Sequence, residues 1–120
     1  MKLLQSMTLA ATLLVATAVE GSCKDTMSNG NDLLDVCATL PNDQSFFSAI
    51  SWCRGYVFAI SDASHCGNTI AGFSSDTPVG VESSQLQRIV VKWLNDHPEL
   101  LHFNASGLVA RALQEAFPCK

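Results

Sequence analysis

Four stretches of this chain carry apolar residues at spacings of three and four, separated by polar breaks marked with Gly and Pro. In the first, Leu33, Leu34, Cys37 and Leu40 share one face of a helix predicted over 32–40. Asn31 is its expected cap, Asp32 and Asp35 sit near its positive end, and Pro41 stops it. The second stretch is the longest. Asn42 or Asp43 caps it, and Phe46, Ile50, Cys53, Val57 and Ile60 form a buried stripe on a helix running to about residue 65. Phe47, Trp52 and Tyr56 widen the stripe, which predicts a central helix covered on more than one side. Gly67 is placed for a left-handed cap at its end. A third helix is predicted over 83–95 from Leu86, Ile89, Val90, Trp93 and Leu94, with Asp96-His97-Pro98 as its terminator. After a short connector, Asn104 caps the last helix, which Ala105, Leu108, Val109, Ala112, Leu113 and Ala116 line on one face. No segment alternates with the period of two that a half-buried strand requires. The expected fold class is therefore all-α, a small four-helix domain.

The polar segments set its limits. Lys2, an apolar run over 3–15 and Ala16-Thr17-Ala18 read as a secretory signal peptide over 1–18, too short and interrupted for a membrane span. An uncleaved anchor or a lipid on Cys23 are the alternatives, but Glu20 stands where a lipid-acceptor site wants an aliphatic residue. Residues 19–30 read as a flexible lead-in and 31–120 as the folded domain. Residues 68–80, rich in Gly, Ser, Thr, Asp and Pro, form a loop long for so small a domain. Without Lys2, six basic residues face eleven acidic ones, a net charge of −5. Such a chain lacks the basic stripe that phosphate contacts require, which argues against nucleic acid and suits a basic protein partner.

Five cysteines are present, and export places them in an oxidising compartment, where disulfides supplement a limited core. No C-x-x-C pair and no zinc-finger histidine spacing occurs, so no metal or other cofactor is expected. Cys23, in the lead-in, is the odd one out. Cys53 and Cys66, thirteen residues apart on one helix, would lie roughly 20 Å from each other, far beyond disulfide reach. Cys37 is expected to face Cys53 in a helical hairpin, and Cys119 to close onto Cys66. A swapped pairing that takes Cys37 to Cys119 stays open.

Nothing in the chain reads as an active site. His65 and Cys66 are sequence neighbours that point about 100° apart on a helix. His97 and His102 bracket a turn without a third ligand, and Asp32 and Asp35 sit where a helix dipole wants acids. Asn104-Ala105-Ser106 matches a glycosylation sequon, but Asn104 is already a helix cap. There is no phosphate-binding Gly-rich loop and no G-x-S-x-G elbow.

Several segments together resemble one family: Cys53-Arg54-Gly55-Tyr56-Val57, Gln85-Leu86 with Ile89-Val90, 93–99 around Asn95-Asp96-His97-Pro98-Glu99, and Ala112 through Phe117-Pro118-Cys119. It is the resistance-associated and type VI secretion amidase immunity (Rap/Tai) family, and the resemblance runs from about Asn31 to Cys119. It implies a helical, often dimeric periplasmic immunity protein that binds a peptidoglycan amidase delivered by sister cells and obstructs its cleft. A general periplasmic binder or chaperone is the alternative, and an enzyme the third class. The candidate partner-binding residues are those of the long loop: Asn68, Thr69, Phe73, Ser74, Ser75, Asp76, Thr77 and Pro78. Held between rigid helices, this loop would lose little entropy on docking. The plainer reading is a tolerant surface connector. Replacing 70–77 with a Gly-Ser linker is expected to abolish inhibition and to leave the fold intact.

Overall fold

Two asparagines start two helices side by side. In the computed structural model, which describes residues 27–120, helix α1 spans Gly30–Cys37 and α4 spans Ala105–Ala116. Asn29 Oδ1 accepts from the backbone N–H of Asn31 and Asp32 at 2.9 and 3.1 Å. Asn104 Oδ1 accepts from the Ser106 N–H at 3.0 Å. The segments carrying these caps pair antiparallel, Gly30 N–H donating to Phe103 O at 3.1 Å and Ala105 N–H to Ser28 O at 3.2 Å. The capping residue of α1 is therefore Asn29 and not Asn31, whose side-chain amide instead donates to Leu101 O at 3.2 Å. Residues 27–30, read as the end of a flexible lead-in, are part of the folded unit: Met27 and Gly30 are buried. The proposed signal peptide and Cys23 lie outside the described residues.

Helix α2 spans Phe46–Ala63, and its buried face is Ile50, Cys53, Val57 and Ser61. It packs against all three other helices, but Phe47 and Trp52 do not join the covered face they were expected to widen. Phe47 is 82% exposed, Trp52 65% and Phe58 56%, while Tyr56 is half-buried. Four helices leave no element to lie over its outer side, so an apolar sequence there does not mean burial. Leu40 is likewise exposed, because α1 stops at Cys37, before that residue can join the helical face. Gly67 does take a positive φ, at 100°, but in a turn closed by Asn68 N–H donating to His65 O, beyond the helix end.

Helix α3 spans Ser83–Asp96 and buries Leu86, Val90, Trp93 and Leu94; a 3-10 turn, Pro98–Leu100, carries the chain to α4. On α4, Leu108, Val109, Ala112 and Leu113 face inward, while Ala116 is exposed. The helices share one core in which Leu33, Val57, Leu86, Val90, Leu94, Val109 and Leu113 are fully buried. Among the described residues there are isolated bridges but no strand. The chain is an all-α, four-helix domain.

Two disulfides fasten it. Cys37 and Cys53 join α1 to α2 inside the core, with Cα atoms 5.1 Å apart; Cys66 and Cys119 join the end of α2 to the C-terminus, 5.9 Å apart. The Cys37–Cys119 alternative does not occur. It would also leave Cys53 and Cys66 to each other, which the helix length forbids.

Candidate functional site

The long segment between α2 and α3 is bolted to the body at its middle and free at two apices. Its base is the Cys66–Cys119 disulfide, above which His65 and Ser75 form a parallel bridge, Ser75 N–H donating to Ser64 O at 2.9 Å. Asp76 N–H donates to Phe117 O at 2.8 Å, and the hydroxyls of Ser61 and Thr77 are 2.8 Å apart. Ser75 is fully buried and Ser74 half-buried, its Oγ 3.5 Å from Cys119 Sγ. Four of the eight candidate residues, Ser74 to Thr77, thus spend their backbone or side-chain polar groups on holding the segment in place.

The first apex is a tight hairpin. Ile70 and Phe73 exchange both backbone hydrogen bonds, at 2.9 and 3.0 Å, around Ala71 and Gly72, which both have positive φ. That is the pattern of a two-residue primed turn. Glycine accepts it freely, whereas Ala71 at φ 52° costs about 1–2 kcal/mol. Asn68 and Thr69 are exposed beside it. Phe73 is half-buried under the Arg111 guanidinium, 5.9 Å from ring centre to Cζ. Arg111 also lies 5.7 Å over the Trp93 ring, and its Nε donates to Glu115, which accepts from Trp93 Nε1 at 2.6 Å. Ala71, Phe73, Leu100, Phe103 and Arg111 line an apolar cavity of about 280 Å³ beside this apex.

The second apex was missed from sequence, because the candidate residues stop at Pro78. Val81 N–H donates to Pro78 O at 3.3 Å and Gly80 has φ 95°, so Val79 sits at the crest, fully exposed. A Pro-x-Gly turn was the available signal. Between this turn and the second half of α2 lies a cleft of about 250 Å³, lined among others by Phe58, Asp62, His65 and Val79.

The replacement of 70–77 by a linker does not separate the first apex from its base. Residues 70–77 include the buried Ser75, the Thr77–Ser61 pair and the Asp76–Phe117 bond, so removing them dismantles the base together with the apex.

Of the remaining polar candidates, His97, Asp32 and Cys66 have structural partners. His97 Nδ1 lies 2.7 Å from Trp93 O, and its ring stacks on Trp93 at 4.0 Å. Asp32 accepts from Ser28 Oγ at 2.8 Å, and Cys66 is in its disulfide. Among the described residues no three His, Cys, Asp or Glu side chains gather as a metal site would require.

A family model described as Rap1a immunity proteins matches residues 29–119. No curated protein matches the chain.

Proposed function

Because the chain belongs to the Rap1a immunity protein family, we propose that it is exported to the periplasm and there binds and inhibits a peptidoglycan amidase delivered by type VI secretion. Membership implies immunity against a secreted effector. The amidase target, the periplasmic setting and the mode of binding are the finer reading proposed here. It acts by occupying the effector's surface, without chemistry of its own.

The observation that carries the binding mode is the fastened loop. Two exposed apices, at 68–72 and 78–80, stand on a base held by a disulfide and by hydrogen bonds to α2 and the C-terminal segment. Segments already fixed in one conformation lose little freedom when they dock, so more of the contact energy appears as affinity. Without residues 1–18 the net charge of −5 favours encounter with a basic partner surface.

The exposed outer side of α2, with Phe47 and Trp52, supports a second contact, between two copies of the chain. The same side would serve a general chaperone, but that role needs no fastened loop.

The test is a pull-down of the oxidised chain with candidate amidases, followed by a peptidoglycan hydrolysis assay and sedimentation of the free chain. One stoichiometric partner whose hydrolysis stops, with relief of inhibition by Val79→Asp or Thr69→Arg, supports the reading. Weak binding of many clients moves it to the chaperone, and a monomer at all concentrations removes the dimer.

A further inference from the structure

The cleft beside the second apex has a chemistry of its own. Its lips are apolar: Phe58, 56% exposed, on the α2 side, and Val79, fully exposed, on the turn side. Its polar lining is Ser61, Asp62 and His65 on the α2 side, with the Thr77 hydroxyl, bonded to that of Ser61, from the loop. No lysine or arginine lines it. The ion pairs among the described residues, Lys92 with Asp96 and Arg111 with Glu115, do not involve Asp62. A carboxylate without a cationic partner, in a slot of about 250 Å³ between two exposed apolar side chains, is complementary to one kind of side chain. A long aliphatic stem would lie against Val79 and Phe58, and a cationic head would reach Asp62, with the Phe58 ring adding cation–π attraction. Asp76 and Glu82, exposed on either side of the turn, add the same sign of field.

We propose that this cleft receives a basic side chain, an arginine or a lysine, from the protein that the domain seizes. The proposal rests on the reading that the domain acts by binding a protein, and it names what that partner presents. It also gives Val79 a role: as the crest of a turn fastened through Thr77, it forms one fixed wall of the slot.

N-acetyl-arginine amide, titrated into the isotopically labelled, oxidised full chain and followed by NMR, tests the cleft without any effector. Saturable shifts centred on Phe58, Asp62 and Val79 are expected, with a dissociation constant on the order of 1–10 mM, as befits one partly exposed ion pair with a stacked stem. Asp62→Asn should weaken binding about fivefold or more, high salt should weaken it too, and Asp35→Asn on α1 should leave it unchanged. Equal shifts with N-acetyl-norleucine amide, or shifts spread over Asp35 and Glu99 as much as over the cleft, would overturn the proposal. In the effector assay, Asp62→Asn should raise the inhibitory concentration by a similar factor. If the probe seats but no amidase is inhibited, the amidase reading fails while the cleft stands. If an amidase is inhibited equally by wild type and Asp62→Asn, the cleft fails while immunity stands.

Discussion

Gly30 and Gly55 show how one residue type carries opposite meanings in one fold. A Cβ on Gly30 would meet Leu108 Cδ1 at 2.6 Å and the Leu101 backbone at 3.0 Å, so α1 crosses the start of α4 where only hydrogen fits. The Leu108 contact is with the end of a side chain, but the Leu101 contact is with backbone held through Asn31. Alanine would gain up to about 1 kcal/mol in helix propensity, yet overpacking costs about 1–3 kcal/mol and would lengthen the Gly30–Phe103 bond. Gly30→Ala should therefore destabilise the domain by about 1–2 kcal/mol in denaturant unfolding. A Cβ on Gly55, mid-helix on α2, meets nothing within 4 Å. Gly55→Ala should stabilise by about 0.5–1 kcal/mol in the same assay. Equal signs for the two would mean that backbone propensity, and not the α1–α4 approach, governs position 30. Glycine before an apolar period reads as a linker from sequence. The domain therefore reads from sequence as starting at residue 31, whereas the need for Gly30 comes from residues 71 and 78 positions away.

At the scale of elements, the helices were legible because α1, α3 and α4 each have one apolar stripe that coincides with the buried face. Leu86, Val90, Trp93 and Leu94 of α3 sit where their spacing places them. The outer face of α2 was not legible. Phe47 and Trp52 are as apolar as Ile50, and only the number of neighbouring elements decides which is covered. The loop was legible as a loop but not as a clamp, since its fastenings to Ser64 and Phe117 are distant backbone bonds that carry no side-chain signature. The start of α2 does not follow the local rule: its N-cap is Ser45, not Asn42 or Asp43, and Ser45 makes no side-chain capping bond. Asp43, one of the two caps foreseen, lies two residues before Ser45 and accepts from both its N–H and its hydroxyl, each at 2.7 Å. These bonds hold the Asp43 carboxyl below the usual carboxylate range. A depressed folded value means that the contribution is present above the unfolded value and lost as pH falls through the folded one. The Ser45 amide should thus titrate by NMR with a midpoint below the ordinary aspartate value of about 3.9. Because the site is open to solvent, the helix start should fray there without global unfolding. A midpoint at or above the ordinary value would show that the Asp43 bonds do not persist in solution.

For the molecule as a whole, the two disulfides divide the labour between core and loop. Cys37 and Cys53 are 2% and 0% exposed, packed among Leu33, Val57 and Val90, whereas Cys119 is exposed and Cys66 half-exposed. A reductant must reach a sulfur to attack it, so access orders the two bonds. With the chain folded, a dithiol such as dithiothreitol should open Cys66–Cys119 first, one disulfide in the reagent forming for each pair of protein thiols released. Of the four disulfide cysteines, alkylation and mass spectrometry at early times should then find label on Cys66 and Cys119 alone. The separations of 53 and 16 residues set the entropic stakes at about 4 and 3 kcal/mol, so losing the outer bond costs more stability while sparing the core. Amide exchange should rise across 64–77 and 117–120, where the clamp bonds lie, and stay slow for α3 and the core of α4. Inhibition should fall with that rise, because the apices would then have to be ordered on binding. If all four cysteines label together, the bonds break only on global unfolding, and the outer disulfide is no separate fastening of the loop.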